Sequence, residues 1–239
     1  MQAVISRAFE NRIRPVQALV SVRRLIANPD ATEEVFRIIQ ALKGNSLTQA
    51  VQRLREHAMG RILLESKPRI LPVLCNRSWL RDLPEGTVGR AYLALMEQQN
   101  ISAEGLVAAS ASDARHAGLT EDEQWLADRL RDIHDLQHVL TGYGPDPLGE
   151  LCLLSFMTTQ TYNRGISFIV FMACRSARNR FPGVEVGACV EEGAALARAS
   201  LWLPAQRLED LLAEPLIDVR VRLGMPQPLR YLATVAAQA

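Results

Sequence analysis

Almost throughout this chain, apolar residues recur at helical spacing, and no stretch alternates apolar and polar residues long enough to argue a β-strand. The spacing predicts helices near 13–27, 32–43, 46–59, 87–98, 120–141, 147–163, 165–179, 187–202 and 206–223, with Gly, Pro or Asn between them. The expected fold class is therefore all-α. With 239 residues, 48% of them apolar and 22% charged, the chain can bury a sizeable core of ordinary globular composition. The least regular part is 60–86, which holds Pro68, Pro72 and Pro84. A boundary is expected there, dividing an N-terminal helical region, 1–82, from the main helical domain, 83–239.

Several function classes drop out on simple grounds. The longest strongly apolar run, GISFIVFMAC at 165–174, is half of the roughly 20 residues that a spanning helix needs, so no transmembrane segment is expected. A net charge of +1 gives no basic surplus for nucleic acid. Cys75, Cys152, Cys174 and Cys189 are scattered singly, as reduced thiols of a cytosolic protein would be, and the first residues lack the continuous apolar core expected of a secretory signal. Residues 1–27 carry five Arg and one Glu, 5 − 1 = +4, which suits either an anionic membrane surface or a solvated face.

The best-supported helix is 120–141. Thr120 followed by Glu123 reads as a capping box, an apolar stripe runs through Trp125, Leu126, Ile133 and Leu140, and Gly142 suits a left-handed helix end. At about 1.5 Å per residue this is a rod of roughly 33 Å, expected to cross the centre of the domain. Asp146 then caps the next helix, with Pro147 in its first turn. Glu150 falls in that same turn.

These two helices carry the residues of chemical interest. At about 100° per residue, His134, Asp135 and His138 sit at roughly 0°, 100° and 40° around the first helix, within one arc. An antiparallel second helix, returned by the turn TGYGPDPLG, can bring Glu150 to the same point. Two imidazoles and up to two carboxylates make a donor set for a divalent ion, zinc on grounds of availability, with iron, manganese and cobalt fitting the same donors. The competing reading makes the histidines half-buried helix residues and the acids solvated faces or caps. The metalloprotease pattern H-E-x-x-H fits poorly, because Asp135 is shorter than its Glu and Glu150 follows too soon. A His-Asp phosphohydrolase would press His116 and Asp210 or Asp218 into service from ordinary surroundings.

The spacing H-D-x-x-H, eleven residues, E, at His134, Asp135, His138 and Glu150, resembles the signature of the ubiquinone (coenzyme Q) biosynthesis protein family, the fourth protein of the coenzyme Q series. LPEGTVGRAYL at 83–93, Gln160 ten residues after Glu150, and EPLIDVRVRLGM at 214–225 are similar to the same family, so the resemblance covers about 83–225. TYNRGISFIV, after Gln160, departs from the shorter Gly-Leu-Pro segment of eukaryotic members. The resemblance implies an all-helical peripheral membrane protein, here on the cytoplasmic face of the inner membrane, that binds a divalent metal through those four positions. It implies polyprenylated benzoate or quinone-precursor lipids as ligands and other ubiquinone biosynthesis proteins as partners, and it is compatible with a homodimer. It further implies removal of the C1 ring carboxylate of a polyprenyl-4-hydroxybenzoate-type precursor, as plain or oxidative decarboxylation. The alternative it allows is a metal-stabilised, lipid-binding scaffold without chemistry.

Asp135 can serve instead as a proton carrier, since losing CO2 requires a proton at the same ring carbon. A metal gripping the substrate carboxylate would stabilise the ground state, so the metal is expected to hold a ring oxygen or to activate water or oxygen. The polyprenyl tail needs a long apolar surface, for which Phe156, Met157, Phe168, Phe171 and Met172 are candidates against a plain core role. Gln160 and Arg164 complete the candidate substrate and lipid contacts. Trp125 and Trp202 read as core, Trp79 as a packed loop residue, and His57 and His116 as surface histidines.

Overall fold

The computed structural model describes residues 13–27, 32–42, 44–102, 105, 118–180 and 184–237. His116 lies outside them. Helices account for the described architecture, and the only β-type pairing among these residues is an isolated antiparallel bridge between Thr87 and Pro215. The chain is all-α, as its periodicity predicts.

The contacts resolve into two compact units, each assembled from separated stretches of chain. The first takes its described residues from 1–50, 143–198 and 228–239. In it, α1 (Pro15–Ala27) packs on α2 (Thr32–Leu42). Ser46–Glu56, α3, begins in this unit and runs on into the second. The other helices of the first unit are those that the sequence places at 147–163, 165–179 and 187–202, with one at the C-terminal end of the chain.

The second unit spans 51–142 and 199–227. It contains α4 (Ala58–Ser66), α5 (Leu71–Cys75), α6 (Arg77–Asp82) and α7 (Val88–Gln98). The irregular stretch 60–86 therefore holds most of α4 and two short helices, with Pro68 and Asn76 in the breaks between them and Pro72 in the first turn of α5. Next come α8 (Glu121–Asp132) and α9 (His134–Thr141). In the first unit follow α10 (Pro147–Thr161), α11 (Arg164–Arg180) and α12 (Val186–Ala199). The second unit resumes with a 3-10 turn at Leu203–Ala205, α13 (Leu208–Leu211) and α14 (Leu216–Leu223), and α15 (Leu229–Ala236) returns to the first.

In the first unit α11 packs against α1, α2 and α10. Its Ile169 buries with Ala18, Val22, Ile38 and Ala41, while Ile166 and Val170 bury with Leu151 and Val186. Each such aliphatic side chain contributes about 1.5–3 kcal/mol on leaving water, so these layers hold α10 in place.

In the second unit Arg129, buried on α8, donates Nη1 to Glu209 Oε1 at 2.6 Å, and Nη2 to Glu209 Oε2 at 3.0 Å and the Gln206 carbonyl at 2.9 Å. Buried Trp125 donates Nε1–H to the Pro68 carbonyl at 3.0 Å, and Trp202 is buried under the Arg53 guanidinium, 4.1 Å from its ring centroid. Both tryptophans are core, as the sequence suggests.

Two expected helices are corrected. The rod at 120–141 is two helices, because the hydrogen-bond ladder slips at Ile133, whose backbone sits at φ −91°, ψ 2° with its N–H turned to the Arg129 and Arg131 carbonyls. The helix at 206–223 is likewise divided. Pro215 cannot continue a helix interior, and it stands instead at the N-cap of α14.

Candidate metal centre

The histidine half is built on α9. The Thr120–Glu123 capping box starts α8, Glu123 Oε2 accepting the Thr120 N–H at 2.8 Å. The slip at fully buried Ile133 then makes His134 the first residue of α9. One turn on, His138 lies on the same face, buried where His134 is half-buried. Their rings meet edge to face with centroids 5.2 Å apart and planes at 83°.

Both ends of α9 are held. At its C-terminus Gly142 takes φ 83° and returns its N–H to the His138 carbonyl at 2.9 Å. Arg220, from α14, donates Nε to the Leu140 carbonyl at 3.0 Å and Nη2 to the Val139 carbonyl at 2.8 Å. A cation on the last carbonyls of a helix is favoured by the charge and by the otherwise unpaired acceptors there. Burial pushes the Arg220 guanidinium down from its ordinary value.

The carboxylate half is built on α10. Asp146 accepts from the Leu148 N–H at 3.1 Å and the Gly149 N–H at 3.0 Å, and Pro147 occupies the first helical position. The loop folds back so closely that a Cβ on Gly149 would lie 2.2 Å from the Gly144 carbonyl oxygen. Two phenols pack beside this loop. Tyr231, on α15, accepts from the Gly144 N–H at 2.9 Å and donates to Asp146, and its ring meets Tyr143 edge to face at 5.3 Å.

Within the continuous stretch 134–150, His134, His138 and Glu150 each offer one ligand atom, and these atoms all lie within 4.8 Å of one another. Two imidazoles and a carboxylate fit a divalent ion and leave coordination positions for water or substrate. Asp135 is not in this group. It is half-buried, and its charge acts on Tyr92, whose phenol is pushed up first by burial and then by the field of Asp135. Sequence reasoning missed Tyr92, Arg220 and Tyr231. Tyr92 and Arg220 lie in the stretches 83–93 and 214–225 that resemble the family, but nothing local marks any of the three.

The candidate lipid contacts distribute differently. Phe156 is wholly buried. Buried Gln160 donates to the Ala197 carbonyl at 3.0 Å. Phe168 and Met172 are half-buried against the Ile169 cluster, Phe171 is 64% exposed, and Arg164 is exposed beside a shallow depression with Thr158, Thr159, Tyr162 and Ser167. Exposed His57 meets the Trp202 ring at 5.6 Å. No helix of the described residues is long and apolar enough to cross a membrane.

The sequence profile of the family described as coenzyme Q (ubiquinone) biosynthesis protein Coq4 matches residues 11–182, which include all four motif positions. The mitochondrial ubiquinone biosynthesis protein coq4 of Aspergillus fumigatus is 29% identical over 188 residues, 74% of this chain and 61% of that protein. The coq-4 protein of Neurospora crassa, also mitochondrial, is 30% identical over 190 residues, 74% of this chain and 50% of that protein. The matched chain thus spans about three fifths or less of these relatives' length. A crystal structure of a Nostoc punctiforme protein, provisionally named as a ubiquinone biosynthesis protein, shares the fold with TM-score 0.65 and 21% identity, covering 90% of this chain and 100% of that one.

Proposed function

Because this chain belongs to the coenzyme Q (ubiquinone) biosynthesis protein Coq4 family, we propose that it is a metal-dependent enzyme that removes the C1 ring carboxylate of a polyprenyl-4-hydroxybenzoate-type precursor. The observation that carries the reading is the close approach of ligand atoms from His134, His138 and Glu150, a donor set suited to zinc or another divalent ion. When bound, such an ion supplies Lewis-acid polarisation of a ring oxygen or of water.

Loss of CO2 breaks the bond from C1 to the carboxyl carbon and leaves the electron pair on C1, which must take a proton. Asp135, half-buried one residue from His134, is proposed to deliver that proton in the plain reaction. In the oxidative form C1 takes a hydroxyl group and an external oxidant such as dioxygen accepts the electrons. The polyprenyl tail is assigned to the α11 face formed by Phe168, Phe171 and Met172, at spacings of three and four residues, with Arg164 one turn before it for the polar end of the ligand. Membrane association and binding to other ubiquinone biosynthesis proteins belong to the same proposal.

The test is turnover of a short-tailed polyprenyl-4-hydroxybenzoate by purified protein, wild type against His138→Ala and Asp135→Asn. CO2 release by the wild type, abolished in the first variant and reduced at least tenfold in the second, is expected. A wild type with no turnover, whose partner binding depends on bound metal, would instead support the non-catalytic scaffold.

A further inference from the structure

Tyr231 stands 85 residues beyond Asp146 in sequence, on the last described helix, yet its hydroxyl is built into the loop that leads to Glu150. It accepts from the Gly144 backbone N–H at 2.9 Å and donates to Asp146 Oδ2. The other carboxylate oxygen, Oδ1, accepts the Leu148 and Gly149 N–H groups that open α10. One phenol thus joins the two ends of a tight fold, the backbone N–H of Gly144 and the cap of the helix bearing Glu150.

The contact leaves little slack. A Cβ on Gly144 would lie 2.5 Å from the Tyr231 oxygen and 2.9 Å from Asp146 Oδ2, and the Tyr231 ring is braced on Tyr143. Helix α15 is itself anchored, because the Glu192 carboxylate accepts the Arg230 N–H at 2.9 Å and the Tyr231 N–H at 3.1 Å, occupying the donors at its start. Burial, and after it the hydrogen bond to Asp146, keep the Tyr231 phenol protonated and able to donate.

We propose that Tyr231 is a positioning residue for the metal site: acting through Gly144 and Asp146, it fixes the start of α10 so that Glu150 is presented as a ligand. This inference rests on the metal reading given above. It places a determinant of metal affinity in the C-terminal segment, outside the stretch matched by the family profile. Partners that orient metal ligands from outside the ligand set are worth about 10–100-fold in affinity, and Tyr231 acts one step further out, so a loss of about tenfold is expected.

The experiment is zinc titration of the full-length protein in competition with a chromophoric chelator, together with the visible spectrum of the Co2+-loaded protein. The variants are Tyr231→Phe, Asp146→Asn, their double variant, His138→Ala, and Thr234→Val, which perturbs α15 without touching the loop. Tyr231→Phe should bind zinc about tenfold more weakly and shift the cobalt spectrum. Thr234→Val should lower thermal stability and leave both unchanged. In the Asp146→Asn background the tyrosine substitution should cost clearly less than tenfold, as expected for groups acting as a unit. Wild-type zinc affinity and cobalt spectrum in Tyr231→Phe, with binding lost in His138→Ala, would overturn the role of Tyr231 alone. Equal zinc binding by wild type and His138→Ala would overturn the metal reading and the inference with it.

Discussion

Replacing Arg220 with Met tests whether α9 is held from its C-terminal end. The guanidinium donates to two carbonyls, Val139 at 2.8 Å and Leu140 at 3.0 Å, in a buried part of the helix. A hydrogen bond from a charged donor contributes about 1.5–3 kcal/mol, so at the lower figure two of them give about 3 kcal/mol. Part of this is offset, because Met bears no cost for burying a charge, a cost visible in the lowered Arg220 pKa. A net loss of about 2 kcal/mol follows, or about 4–8 °C in Tm for a chain of this size. Arg220→Lys, which cannot span both carbonyls, should lose about half as much. Thermal unfolding of metal-free protein, followed by far-UV circular dichroism, reads the effect. His138 lies within the last turns of the same helix, so zinc affinity should fall in parallel. An Arg220→Met protein that melts within about a degree of wild type would refute the reasoning, since that shift corresponds to well under 1 kcal/mol.

Other perturbations have equally definite outcomes. Gly149→Ala forces a Cβ against backbone rather than a flexible side chain; it should cost about 1–3 kcal/mol by chemical denaturation and weaken zinc binding through Glu150. Asp146→Ala removes the α10 cap and should cost about 1–2 kcal/mol, with a larger loss of zinc affinity than Thr120→Ala, which removes the cap of α8. Burial alone would raise the Glu209 carboxyl, but the hydrogen bonds and charge of Arg129, the backbone N–H of Glu209 itself and the charge of Arg207 together outweigh it and hold Glu209 below its ordinary value of 4.5. A depressed carboxyl supplies stability that is present above the unfolded value and lost as pH falls through the folded one. Tm should therefore drop on acidification below pH 4.5, and Glu209→Gln, less stable near neutrality, should show a shallower acid limb in melts across that range.

What the sequence disclosed of this molecule was its local chemistry. Thr120 and Glu123, Asp146 and Pro147, and Gly142 each act within a few residues of their own position, and all take the roles their types suggest. The slip at Ile133 has no proline or glycine to announce it; it lies at a fully buried side chain, and tertiary burial is invisible to a helical wheel. The break at Pro215 was legible from proline chemistry, whereas the periodicity carried the expected helix through it. A linear division at residue 82 and the grouping of contacts describe different things, because 51–142 runs through that point as one stretch of the second unit. Arg220 and Tyr231 reach their partners across 80 and 85 residues, so only the folded chain connects them to the motif. Phe156 and Phe168 are alike as letters in an apolar helix, yet one is enclosed and the other half-buried.

The most direct test of the account is the metal itself. Purified protein, loaded with zinc and freed of excess, is measured for metal content and by X-ray absorption at the zinc edge. The account predicts one ion per chain, a scattering pattern with two imidazoles and oxygen donors, and loss of the ion in His138→Ala and Glu150→Ala. A wild-type chain that retains no zinc, or one whose zinc survives both substitutions with an unchanged absorption spectrum, would contradict it.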